Sequence, residues 1–257
     1  MTKVKNGVMD CETVAGQMKS DTEMVNAEIQ RAFEGLSTPL IADAIVRLGL
    51  PLRVAPREIR PVVGTRLAGR ALPARHAGSV DVFLEAIDGA HLGDVLVIDN
   101  GGRTDEGCIG DLLAIEASVQ CVAGIVVWGA HRDTSELMAI DLPIFSCGSC
   151  PNGPLRSRDR DTDALVRARC GWQLVERGDV VFADLDGVLF VHERHLGAMF
   201  PIARDIAMRE REQAILVRQG RTLRDQFRFK AYLERRQTDP EYTLRRHLKE
   251  VGGAIEE

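Results

Sequence analysis

The sequence predicts an α/β sandwich with a mixed sheet, followed by a helical extension. Three observations carry this. Short apolar runs at 95–98, 125–128, 143–145 and 180–183 alternate with segments of helical spacing, as expected of strands covered on both faces. The turn Asp184-Leu185-Asp186-Gly187 sits between two apolar runs and marks a hairpin, which makes the sheet mixed. After Pro201 the texture changes to amphipathic, charge-rich helices.

The elements follow in order. Residues 1–22 read as a loose polar lead-in. From Met24 to Leu48 apolar positions recur at helical spacing, interrupted at Ser37-Thr38-Pro39, where Ser37 or Thr38 can cap a second helix and Pro39 suits its first turn. Residues 60–77 read as strand, and Val80 to Ala90 as a short helix. Gly93-Asp94 turns into the strand 95–98, which ends at Asn100-Gly101-Gly102. Asp111 to Cys121 reads as helix, 125–128 as strand, Ser135 to Ile140 as helix and 143–145 as strand, before a Gly/Pro-rich loop at 148–154. Strands at 174–175 and 180–183 lead to the hairpin partner Val188–His192. Ile202 to Gln219, Arg221 to Arg236 and Tyr242 to Val251 read as helices. The expected organisation is a core over 23–201 and a C-terminal helical extension over 202–257.

Composition bounds the function. The chain has 257 residues and only twelve aromatics, so Ala, Val, Leu and Ile must build the core. Its net charge of −5 argues against non-specific nucleic-acid binding. The tail 203–257 carries a net +3, which leaves −8 for the remainder. The N-terminal stretch has no signal-like apolar run, and no segment has the roughly 20 apolar residues of a membrane helix. Six irregularly spaced cysteines read as reduced thiols of a cytoplasmic protein. Cys147-Gly-Ser-Cys150 lacks a second pair for zinc and is followed by Pro151 and Pro154, so it reads as a loop of small residues.

The chemistry concentrates between Gly101 and Glu136. Gly110-Asp111-Leu112-Leu113 lies where a loop becomes a helix. With Asp111 as N-cap, the Leu112 and Leu113 amides would point at whatever sits above the helix start, an arrangement suited to a carboxylate. Arg132-Asp133 follows the strand 125–128, at the strand end where α/β sheets gather ligands. His192 and His195 have no evident third ligand and read as surface residues.

The spacing from Asp111 through twenty residues to Arg132-Asp133, then two residues to Glu136, resembles the RraA-like family. Further matches are Gly110-Asp111-Leu112-Leu113, Gly178-Asp-Val-Val-Phe-Ala-Asp-Leu-Asp-Gly-Val188, Ser37-Thr38-Pro39, Ala42-Asp43-Ala44, Leu48-Gly49, Gly93-Asp94-Val95-Leu96-Val97 and Gly101-Gly102. The resemblance spans about residues 35–220. It is nearest to the class II 4-hydroxy-4-methyl-2-oxoglutarate / 4-carboxy-4-hydroxy-2-oxoadipate aldolases.

The resemblance implies an α/β/α sandwich of swivelling-domain type and a lyase that needs Mg²⁺ or Mn²⁺. Asp133 would ligate the metal, and Asp111 would reach it through water. Arg132 would contact the pyruvyl oxygen, Gly110 and the Leu112 and Leu113 amides the carboxylate. Glu136 would support Arg132 or the metal's waters. The implied assembly is a homotrimer or homohexamer in which Glu212, or else Glu210, comes from a neighbouring subunit to the metal's water shell. Oxaloacetate decarboxylation would share the enolate intermediate. His131 stands where the family usually has a small or apolar residue, and would contact substrate or pack. Asp105 or Glu106 in the polar loop 103–108 could alter specificity. The same family contains non-catalytic regulators that bind RNase E, which typically lack the metal-binding Asp. A methyltransferase is excluded, since no Gly-rich adenosylmethionine loop precedes an acidic strand end.

Overall fold

The computed structural model describes residues 21–75, 78–154 and 159–251, with the side chains of 21–24 left aside. The expected lead-in falls mostly on residues 1–20, outside the described ones; a helix already begins at Asp21. The described residues divide into two compact units, one of residues 21–38 and 53–194, the other of 39–52 and 195–251.

The first unit is built on a seven-stranded mixed sheet of order β1-β7-β5-β3-β2-β10-β11. Its strands are β1 (Arg60–Val63), β2 (Leu67–Arg75), β3 (Val95–Asp99), β5 (Gly124–Trp128), β7 (Ile144–Ser146), β10 (Asp179–Asp184) and β11 (Gly187–His192). β2, β3, β5 and β7 are parallel, and β1, β10 and β11 add antiparallel pairings at the two sides. The fully apolar runs are buried on both faces, as parallel strands require.

One face is covered by α3 (Asp81–Asp88), α4 (Asp111–Val119) and α5 (Thr134–Ile140). Phe83 and Ile87, Ala114 and Ala117, and Leu137 pack there with Leu72, Leu96, Ile98, Ile125, Val127 and Ile144. α1 (Asp21–Phe33) sets Phe33 against Phe182, ring centroids 5.2 Å apart. Its buried Asn26 donates to Leu92 O and Asp94 Oδ1 and accepts from Arg70 N–H, stitching α1 to β2 and to the turn that leads into β3. The opposite face packs Val95, Val97, Val126, Phe145 and Val181 against Ala168, Cys170 and Val175. Those last three come from the hairpin β8 (Arg167–Cys170) and β9 (Gln173–Glu176).

The second unit holds most of α2 (Thr38–Arg47) with α6 (Leu196–Arg218), α7 (Leu223–Gln226), α8 (Phe229–Thr238) and α9 (Leu244–Val251). Thr222 closes a capping box with Asp225 at the start of α7. Tyr242 is buried beside Tyr232 and His247, and its hydroxyl donates to Glu250 at 2.8 Å. No helix among the described residues is long and apolar enough to cross a membrane.

Several expectations are corrected. The strand over 60–77 is two strands, broken at Gly64, whose φ of +62° bends the chain there. β8 was not expected, although Arg-Ala-Arg-Cys alternates and its burial alternates with it. The helix expected from Ile202 begins at Leu196, with Pro201 inside its second turn. Pro201 lies past the amides that have no intrahelical acceptor, so it forgoes the one i→i−4 bond to Gly197 O, and the helix continues through it to Arg218. The segment 221–236 is two helices rather than one, parted at Arg228 with φ +47°.

The start of α2 is held from afar. The buried Asp184 carboxylate accepts Thr38 N–H at 2.7 Å and Thr38 Oγ1–H at 2.6 Å, and also the Asp186 amide. Asp179, five residues earlier, grips the Arg53 guanidinium with both oxygens. Asp179 and Asp184 of the 178–188 motif are therefore structural clamps. Asp184→Ala is expected to cost about 2 kcal/mol, the usual loss when a buried charged cap is removed. In a thermal melt that reads as a drop of roughly 4–8 °C.

Candidate active site

The four parallel strands end along one edge, with Arg75, Asp99 and Trp128 in register and Ser146 beside them. Three segments leave this edge and meet above it. β4 (Gly107–Ile109) pairs in parallel with β6 (Ala130–His131), and His131 bridges onward to Ser149. The His131 amide donates to Gly148 O at 2.9 Å, Cys150 N–H donates to His131 O at 2.8 Å, and Arg132 N–H to Ile109 O at 2.9 Å. Neither β4 nor β6 was expected, since two or three residues give no periodicity to read. Together they form a small platform that the chain leaves at Arg132 and Asp133.

Asp133 adopts a left-handed conformation, φ +58° and ψ +43°. A non-glycine residue in this region costs of order 1 kcal/mol and persists only where its surroundings hold it. It occupies the N-cap position of α5 but its side chain makes no capping bond. The carboxylate turns instead to Arg132, with Oδ2 3.2 Å from Nε. The pair stays accessible, 46% exposed for the Arg132 side chain and 31% for Asp133.

Glycines shape the surroundings. A β-carbon on Gly110 would stand closer than 3.0 Å to Asp133 Oδ2, and one on Gly153 would stand 3.0 Å from Arg132 Nη1. One on Gly107 would meet Arg132 Cβ and Cys150 O at 3.0 Å. Gly110 thus lets the start of α4 approach the Asp133 carboxylate. Gly107 and Gly153 are site positions that sequence reasoning missed; the Gly/Pro-rich loop around Gly153 was the available signal.

The start of α4 differs from expectation. Gly110, extended at φ −149°, is the N-cap, and Asp111 is the first helical residue. Asp111 Oδ1 accepts the Leu112 amide at 2.8 Å. Among the described residues the Leu113 N–H has no recorded acceptor, as a first-turn amide would not. Leu112 projects outward, 77% exposed, whereas Leu113 is in the core.

The structure therefore brings Gly110, Asp111, Leu112, Arg132 and Asp133 together through Gly110's approach to the Arg132–Asp133 pair. Glu136 is exposed on α5, and no bond from it to Arg132 is recorded among the described residues. Glu212 is exposed on α6, in the second unit. His131 is buried, 3% exposed, and both ring nitrogens are bonded, Nδ1 to Ser146 Oγ at 2.7 Å and Nε2 to Thr134 Oγ1 at 3.0 Å. Burial lowers its pKa, which favours the neutral ring. Glu106 is buried and pairs with Arg103 at 2.6 Å, so the loop uses it to hold itself; Asp105 is the exposed acid.

Among the described residues no group of three or more His, Cys, Asp or Glu could cage a metal. What the edge offers is oxygen, from the carboxylates of Asp133 and Asp111 on either side of Gly110. That donor set fits a hard cation retaining most of its water, such as Mg²⁺ or Mn²⁺, and not a closed zinc site.

The RraA-like family model, Aldolase/RraA, matches residues 38–190, more than half of the chain. The chain belongs to the RraA-like family. It is 29% identical over 126 residues to an uncharacterized protein of Methanocaldococcus jannaschii, a match covering 48% of this chain and 59% of that one. It is 36% identical over 97 residues to a Bacillus cereus protein named "Putative 4-hydroxy-4-methyl-2-oxoglutarate aldolase", covering 38% of this chain and 60% of that one. The matches thus span about six tenths of these relatives' length. A crystal structure from Streptomyces coelicolor, titled an unusual member of the RNase ES inhibitor RraA protein family, superposes with a TM-score of 0.64 at 24% identity, over 73% of this chain and 97% of that one. At that identity the likeness concerns the fold. For an RraA-like chain, both a catalytic and a regulatory role are within the family's range.

Cys108, Cys121, Cys147, Cys150 and Cys170 are all free thiols. Burial pushes the Cys108 pKa up to about 12 and raises those of Cys170 and the half-buried Cys147. Alkylation of native protein at pH 8, read by mass spectrometry, should label Cys147 ahead of Cys108 and Cys170, which should react only on unfolding.

Proposed function

We propose that the chain is a divalent-metal-dependent carbon–carbon lyase that cleaves a 4-hydroxy-2-oxo acid, of 4-hydroxy-4-methyl-2-oxoglutarate type, and releases pyruvate. The observation that carries this reading is the accessible Asp133 carboxylate, held in a left-handed turn beside Arg132 and against Gly110 at the start of α4. A regulator that only binds another protein has no need of a strained carboxylate there.

In the reaction the C3–C4 bond breaks, the 4-hydroxyl proton is removed, and the electron pair stays on the former C3 as the enolate of pyruvate. A Mg²⁺ or Mn²⁺ held by Asp133 would supply Lewis-acid stabilisation of that charge. The Arg132 guanidinium contributes a fixed positive charge at the C2 oxygen. The Leu112 and Leu113 amides receive the substrate carboxylate at the positive end of α4. Substrate taking the Leu112 N–H displaces Asp111 Oδ1, which frees the Asp111 carboxylate to accept the hydroxyl proton and return it to C3. Oxaloacetate losing CO₂ reaches the same enolate, so decarboxylation is a companion activity. The proposal includes a homotrimer or homohexamer in which Glu212 of the partner subunit reaches the metal through water, and Glu136 supports the same water shell.

The test is a pyruvate-release assay coupled to lactate dehydrogenase, over several 4-hydroxy-2-oxo acids and oxaloacetate, with Mg²⁺, Mn²⁺ or EDTA. Metal-dependent release is expected. No turnover on any of them would favour the second reading, an RraA-type regulator of an RNase E-like ribonuclease.

A further inference from the structure

His131 is the buried polar residue nearest the Arg132–Asp133 pair, and every polar atom it has is used. Its amide and carbonyl join the platform strands through Gly148 and Cys150. Its ring reaches in two directions, to Ser146 Oγ at the end of β7 and to Thr134 Oγ1 at the start of α5. Thr134 lies three residues on, so the imidazole closes a loop around the two residues between. Those two are Arg132 and the left-handed Asp133. The Asp133 carbonyl accepts Leu137 N–H at 2.9 Å within α5, but its side chain makes no capping bond, so the left-handed turn between residues 131 and 134 is further fixed by how those two residues are held.

We infer that His131 is a positioning residue: its ring clamps Thr134 to Ser146 and thereby fixes the turn that aims the Arg132 guanidinium and the Asp133 carboxylate. The role in turnover rests on the proposed lyase reading, while the clamp itself is a property of the fold. The two faces of the ring have separable mimics. Glutamine places a polar atom near the Nε2 position and keeps the bond to Thr134; asparagine matches only the Nδ1 position and keeps the bond to Ser146. The strap needed by Asp133 is the one to Thr134.

The decisive variant is Thr134→Val, which removes one half-buried hydroxyl and keeps the side-chain shape. Kinetics are read together with amide hydrogen exchange over residues 132–137 in protein that keeps its melting temperature. Thr134→Val and His131→Leu should each lower kcat about tenfold to a hundredfold, the usual effect of losing such a support, with little change in KM. His131→Gln should recover more of kcat than His131→Asn, and Thr134→Ser should recover most of it. Exchange over 132–137 should quicken in Thr134→Val and His131→Leu. Unchanged kcat and exchange in Thr134→Val, with activity lost in His131→Leu, would overturn the clamp and make His131 a direct substrate contact. If the wild type turns over no substrate, the lyase reading falls and exchange alone decides: faster exchange in both variants supports the clamp, and unchanged exchange rejects it.

Discussion

Asp133→Ala should reduce metal-dependent pyruvate release by about a thousandfold, the scale of losing one electrostatic stabiliser of a developing oxyanion, here the cation that Asp133 would hold. The loss has two sources that a second variant separates. Alanine removes the carboxylate and also sits poorly at φ +58°. Asparagine tolerates the left-handed region, so Asp133→Asn keeps the turn and removes only the charge. The two variants should therefore be about equally inactive, while Asp133→Asn melts closer to the wild type. Activity that survives in Asp133→Asn would remove Asp133 from the role of metal ligand.

Gly110→Ala is the second large effect. The backbone at Gly110 is extended, φ −149° and ψ −167°, a conformation open to any residue, so folding should lose little. The added methyl would instead collide with Asp133 Oδ2 and press on Arg132 Cγ and Nε, at 3.3 and 3.4 Å. The carboxylate must swing away or the start of α4 must retreat, and either separates the anion-binding amides from the Arg132–Asp133 pair. An error of about 1 Å in such a constellation costs on the order of a hundredfold in rate. A near-native melting temperature with kcat/KM down by that factor is the expected result.

Much of this was legible in the sequence, for identifiable reasons. Parallel strands buried on both faces write themselves as continuous apolar runs, and 95–98 and 125–128 did so. The twenty residues between Asp111 and Arg132 are the rest of α4, a turn, the five-residue strand β5, Gly129 and β6, a length that returns the chain to the edge it left. Hence the two halves of the motif could be expected to meet. What was not legible arises from contacts between distant residues. Asp184 caps a helix 146 residues away. His131 finds Ser146 fifteen residues on, across a strand. The left-handed turn at Asp133 is imposed by tertiary bonds and has no glycine to announce it. Assigning the N-cap to Asp111 followed its side-chain preference; the extended Gly110 took that position, and Asp111 bound the next amide instead.

The central claim is that the edge bearing Arg132 and Asp133 generates the enolate of pyruvate, and it can be measured without knowing the physiological substrate. Pyruvate in D₂O with the protein and Mg²⁺ should exchange its methyl protons for deuterium, followed by NMR. The account predicts exchange well above background that EDTA abolishes and that Asp133→Asn lacks. Wild-type protein with Mg²⁺ or Mn²⁺ that exchanges pyruvate no faster than buffer would contradict it.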